Sequence, residues 1–145
     1  MAFRFPLATV RRVRESIERR EERALQRIQL EMARVSRQIE ELNTGIARSH
    51  EAQKQALLQP TPAGHLHSML WEMQGAIENR TTLLNTLQGL EQQRQKQMKV
   101  YQAAHRDHET MISMFKEQRD AYEVEQARAQ QKYLDDIFMA RRHRG

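Results

Sequence analysis

Apolar side chains recur along the chain at alternating spacings of three and four. The first line runs Leu7, Val10, Arg14, Ile17, Glu21, Ala24, Ile28, Met32, Val35, Ile39, Leu42 and Ile46, with Arg14 and Glu21 as polar members. This period predicts an α-helix with one buried stripe, in the seven-residue repeat of a left-handed coiled coil. Two adjacent spacings of four around Ile28 predict a stutter, a local unwinding of the supercoil. A second line keeps one phase through Leu70, Met73, Ile77, Arg80, Leu84, Leu87, Glu91, Arg94, Met98, Tyr101, His105, His108, Ile112, Phe115, Arg119, Tyr122, Gln126, Ala129, Tyr133 and Asp136.

One strong breaker interrupts these lines, at Leu58-Gln59-Pro60-Thr61-Pro62-Ala63-Gly64. Pro60 pushes Gln59 out of the helical region, and Thr61 is placed to cap a new helix with Pro62 at its first position. Pro6 suits the first turn of the first helix. The predicted architecture is all-α: an antiparallel two-helix coiled-coil hairpin with a longer second helix. A single coiled-coil domain covers 1–145. Helix one is expected over about 6–58, the loop over about 59–61, helix two over about 62–140 and a basic tail over 141–145. Pairing outward from the loop sets Leu7 near Phe115 and leaves everything after about 117 without an intrachain partner. That overhang carries Tyr122, Ala129, Tyr133, Ile137 and Phe138, and a stripe of this kind in water predicts docking on another protein or self-association. Phe3 and Phe5 sit at the same end, where nothing later in the chain is expected to form a globule that buries them; they either clamp the overhang around Tyr122 or enter a partner.

Composition narrows the class. Five glycines, three prolines, 39% hydrophobic and 30% charged residues describe long helices rather than a thick globular core. No cysteine is present, which excludes disulfides and thiolate metal sites. No secretory signal and no stretch of membrane-spanning length is expected. The net charge is +5. Its excess lies at the chain ends: residues 1–27 hold eight arginines and four glutamates, and Arg141, Arg142 and Arg144 fall in the last five residues. The near-neutral middle and the lack of a basic helix forking from a zipper argue against a nucleic-acid-binding coiled coil, which would bind through phosphate neutralisation. That reading stays as a minor alternative.

Candidate chemistry is sparse. His105 and His108 share a helix face, but a metal site needs three or four ligands, and polar residues in such a line more often fix register. His65 and His67 flank the loop as exposed residues. No Gly-rich phosphate loop, G-x-S-x-G or H-E-x-x-H motif occurs. No catalytic, cofactor-binding or metal residue is expected, and the chain is not expected to be an enzyme. Met69, Trp71 and Ala76 lie off the predicted line, on flanks that either wrap the hairpin tip or meet a partner.

The start Phe3-Arg4-Phe5-x-Leu7-x-x-Val10 with Arg14-Glu15, the single Pro-broken hairpin, the Gln/Arg-rich second helix and the basic end resemble the bacterial flagellar export protein family FliJ, over the whole chain. The resemblance implies a stalk shaped like the γ subunit of rotary ATPases. It implies that the end bearing both termini inserts in the hexameric flagellar export ATPase and promotes its assembly and activity. On this chain that end offers Phe3, Phe5, Arg11, Arg12, Arg14, Tyr122, Tyr133, Ile137, Phe138, Arg141 and Arg142. It also implies contact with the export-gate membrane protein through a strip early in helix two, before an Ala-Ile-Glu-like step. Here the step is Ala76-Ile77-Glu78 and the strip is Met69, Met73, Ala76 and Arg80. Assistance to export substrates or their chaperones, and a cytoplasmic location peripheral to the inner membrane, follow from the same resemblance. The equivalent stalk of a virulence-type secretion system is the alternative within this structural class.

Overall fold

The computed structural model describes residues 3–144. Two helices account for almost all of them: α1, Ala8–Leu57, and α2, Ala63–Arg144. The fold is all-α with the second helix the longer. α1 starts later than the sequence predicts. Pro6 and Leu7 form a turn, in which the Ala8 amide donates to the Phe5 carbonyl at 3.1 Å. α2 runs past 140, so residues 141–144 are its last turn and not a tail; Gly145 lies outside the described residues. No breaker interrupts the helix there, and Arg141, Arg142, His143 and Arg144 bring positive charge to the negative end of its dipole.

The loop is capped differently from expectation. The Thr61 hydroxyl donates backwards, to the Ala56 carbonyl at 2.7 Å and to Gln59 at 3.2 Å. It therefore satisfies the orphan carbonyls at the end of α1 rather than the amides of α2. The start of α2 is closed by the Pro62 carbonyl, which accepts from the His65 and Leu66 amides.

The chain divides into two compact units, one of Met1–Glu21 with Tyr101–Gly145, the other of Glu22–Val100. In the Glu22–Val100 unit the helices pair antiparallel about the loop. Arg80 Nη1 donates to Asn43 Oδ1 at 3.0 Å, and the Gln53 amide reaches the Met73 sulfur at 3.8 Å. Its buried apolar residues are Leu25, Val35, Ile39, Ile46 and Met73. The stutter is absent from this unit. Leu25 is 7% exposed and takes the place expected for Ala24, so the covered line on α1 runs Leu25, Ile28, Met32, Val35, Ile39, Leu42 and Ile46 in strict alternation.

On α2 the covered line in this unit is Leu66, Met69, Met73, Ala76, Arg80, Leu83, Leu87, Leu90, Arg94 and Gln97. Every second member matches the sequence expectation, and the members between are shifted by one residue. Leu70 and Leu84, expected in the seam, are 56% and 46% exposed. Arg94, a charged member, is held by its own helix: its guanidinium donates twice to Glu91, at 2.8 and 2.6 Å. These bonds, against a smaller opposing effect of desolvation, hold the Glu91 carboxyl below its ordinary pKa.

Candidate docking surfaces

The Met1–Glu21 and Tyr101–Gly145 unit is built around Phe115. Phe5 meets its ring edge-on at 5.3 Å and Phe3 lies tilted at 5.6 Å. Phe3 also lies 5.4 Å from Tyr122. The Arg11 and Arg119 guanidiniums sit over the Phe115 ring at 5.0 and 5.8 Å, within cation–π range. Phe5 is 8% exposed, so of the two expected outcomes the phenylalanines clamp onto their own chain. The turn at Pro6 and Leu7 places the chain start over α2, where Phe5 meets Phe115 on the facing helix.

Below this aromatic group the two helices exchange charge. Arg14 donates to Asp107 at 3.2 Å. Glu18 Oε1 accepts from His105 Nδ1 at 3.1 Å and Glu18 Oε2 from His108 Nδ1 at 2.6 Å. An ionised carboxylate only accepts, so each Nδ1 carries a hydrogen in this arrangement. Desolvation raises the Glu18 pKa, but the hydrogen bonds and positive charge of His105 and His108 outweigh it, and the net direction is downward. A depressed carboxylate stabilises the fold above its unfolded pKa and loses that contribution as pH falls through the folded value. Glu18→Gln is therefore expected to be less stable than the native chain at pH 6. The difference should vanish below the ordinary carboxylate range, as read by urea unfolding across pH. A gap that stays constant down to strong acid would remove the ionic account. Among the described residues no group of three or more His, Asp or Glu is placed to hold a metal.

Beyond Tyr122 the covered line stops. Every described residue from Glu123 on is exposed except Ile137, which is half-buried. Continued in phase, the line would pass through Glu125, Ala129, Lys132, Asp136 and Met139, which is mostly polar. The large apolar residues have moved elsewhere: Tyr133, Leu134 and Phe138 are 67%, 58% and 66% exposed. At about 100° per residue, Tyr133, Leu134, Ile137 and Phe138 form one face more than a right angle away from that line. The single phase expected through Tyr133 and Asp136 thus ends at Tyr122.

The expected ATPase-docking residues fall into two groups. Phe3, Phe5, Arg11, Arg14 and Tyr122 are engaged within their own unit. Arg12, Tyr133, Phe138, Arg141 and Arg142 are exposed, with Ile137 beside them. Leu134 belongs to the same face and was missed; its spacing of four to Phe138 was the available signal.

The expected gate-binding strip shares Met73 and Arg80 with the expected seam. Met69, Met73, Ala76 and Arg80 all lie on the covered line, and Met73 is 7% exposed. They face α1, because the spacing of four, three and four that defines the strip also defines the seam. Beside the line, one residue further on from Met69, Ala76 and Leu83, stands a shoulder of exposed Leu70, half-buried Ile77 and exposed Leu84.

The described residues form two long helices with a mostly apolar covered line and an exposed stretch after Tyr122, and no strand occurs among them. The family described as flagellar FliJ protein matches residues 3–145. The chain belongs to the FliJ family. Its family is a non-catalytic part of flagellar type III export. Comparison with curated proteins and with solved structures gives no significant match. No helix among the described residues is long and apolar enough to cross a membrane.

Proposed function

We propose that this FliJ-family chain is a non-enzymatic stalk that docks in the hexameric flagellar export ATPase through the unit containing both termini. It promotes ATPase assembly and activity, connects the ATPase to the export-gate membrane protein, and assists export substrates or their chaperones. Family membership supports the setting. The carrying observation is the exposed face of Tyr133, Leu134, Ile137 and Phe138, flanked by Arg141 and Arg142. A helix keeps such a face in water when a partner covers it, and flanking charge steers the encounter. The purified chain is expected to hydrolyse no ATP and to raise turnover by its cognate hexameric ATPase. Turnover unchanged across a titration of the chain would overturn the docking.

For the gate, we propose that the contact spans the half-covered strip Met69, Ala76 and Arg80 and the shoulder beside it. Leu84, on that shoulder, is 46% exposed. Leu84→Asp should reduce capture of the purified gate protein about tenfold while helicity is kept, a loss typical of one well-packed interface residue. Full capture by this variant would remove the shoulder from the contact.

A further inference from the structure

Beyond Tyr122, α2 carries a second seven-residue line, on the side that the covered line leaves. Leu134 and Ile137 belong to it. Followed back at spacings of four and three, it passes Gln130 and Ala127 and reaches Glu123 and Asp120. Followed forward, it reaches Arg141 and Arg144. All of these stand in one continuous helix, so the spacing itself puts them on one face. Ile137 is half-buried and the others are exposed. On a straight helix the line drifts by about 20° per seven residues, a drift that the left-handed supercoil of two paired helices takes up. We propose that two copies of the chain pair antiparallel along residues 120–144, with Glu123 of each copy against Arg141 of the other.

The line is its own complement when reversed. It begins on two acids and ends on two arginines. Turned end for end about a two-fold axis near Lys132, Asp120 meets Arg144 and Glu123 meets Arg141. Between these charged pairs Ala127 meets Ile137 and Gln130 meets Leu134, a smaller or polar side chain against a larger apolar one. In each pair the first position of one repeat meets the fourth of the other, so both lines share one seam. A two-fold interface requires this self-complementarity. Parallel pairing would set Glu123 against Glu123 and Arg141 against Arg141, and like charges in contact are costly. Charge therefore selects both the occupant and its direction.

The flanks agree. Val124 of one copy falls beside Phe138 of the other, and the two Tyr133 side chains face each other across the axis; all three are exposed in the single chain. Lys132 and Glu125 stay on the outer side. Residues 120–144 span about 36 Å at 1.5 Å per residue, so the interface is small and the dimer reversible. This is also the face proposed to enter the ATPase, so a paired chain cannot dock through it. That exclusion rests on the docking reading, whereas the pairing does not.

Sedimentation velocity of the full chain over roughly 5–200 µM, where small interfaces associate, is expected to show a monomer passing into a dimer. Glu123→Arg and Arg141→Glu, each alone, bring like charges together at two symmetric places and should weaken the dimer at least about tenfold. Mixed in equal amounts, the two variants should restore it, because each supplies the charge that the other lacks. Both should keep native helicity, since both positions are exposed. Three results would overturn the proposal. The native chain stays monomeric to the top of the range. It dimerises but neither reversal weakens the dimer, which assigns the contact to another surface. Or both reversals weaken it and the mixture stays monomeric, which separates Glu123 from Arg141 of the second copy. No ATPase enters the measurement, so its failure leaves docking standing, and a chain that dimerises without stimulating the ATPase leaves the pairing standing.

Discussion

Ile137→Asp combined with Phe138→Asp should abolish stimulation of the export ATPase while leaving the chain folded. Phe138 is 66% exposed and Ile137 half-buried, and both stand beyond Tyr122, where the covered line has ended. Neither supports packing between the helices, so helicity and the urea midpoint should stay close to native, within about 0.5 kcal/mol as for most surface changes. Docking is another matter. Two apolar anchors at the centre of an interface each contribute about 2 kcal/mol or more, and a carboxylate put in their place must be desolvated besides. The affinity for the hexamer is therefore expected to fall by at least about a hundredfold. Lys132→Ala, on the opposite side of the same helix, should stimulate like the native chain. If the aspartate pair stimulates fully at native concentration, the apolar face is not the docking surface. If Lys132→Ala fails equally, the whole turn of helix is involved rather than one face.

Leu25→Asp should unfold much of the Glu22–Val100 unit, whereas Leu30→Asp should be tolerated. Leu25 is 7% exposed and Leu30 is 70% exposed, five residues apart on the same helix. The first change removes a buried leucine, a loss of about 2–5 kcal/mol, and leaves an unpaired carboxylate in its place. A loss above about 3 kcal/mol is a large part of the stability of any small domain. The second change replaces a solvated side chain and should move stability by about 0.5 kcal/mol or less. Thermal unfolding followed by circular dichroism separates the two. The pair also tests the covered line itself: with a stutter at Ile28, Ala24 would face α2 and Leu25 would turn aside, and Leu25→Asp would be mild.

Much of the fold was legible in order and extent because few residues do the deciding. Pro60 and Pro62 end one helix and start another wherever they stand, since ring geometry and a missing N–H are local properties. Long seven-residue periodicity with few glycines is likewise local. The exposed overhang could be read from lengths alone, because the second periodic run outlasts the first. The clasp on Phe115 was half legible. Pairing outward from the loop brought Leu7 near Phe115, but the turn at Pro6 that folds Phe5 onto that ring is a matter of contact. The Glu18 cluster was visible only as two histidines sharing a face. Its acceptor lies 87 and 90 residues away in sequence, on the other helix.

The sequence by itself determined that this chain forms two long helices about one proline-marked loop, with the second outlasting the first. It also carried the resemblance to the FliJ family. Which residues face inward was decided only by the tertiary structure. Met69 and Leu70, Ala76 and Ile77, and Leu83 and Leu84 are adjacent pairs in which both members are apolar. A seven-residue repeat can be threaded through either member, because the two lines share every second position and differ by one residue, about 100°, at the others. Periodicity cannot choose between them. The facing helix does, by covering Met69, Ala76 and Leu83 and leaving Leu70 and Leu84 in water.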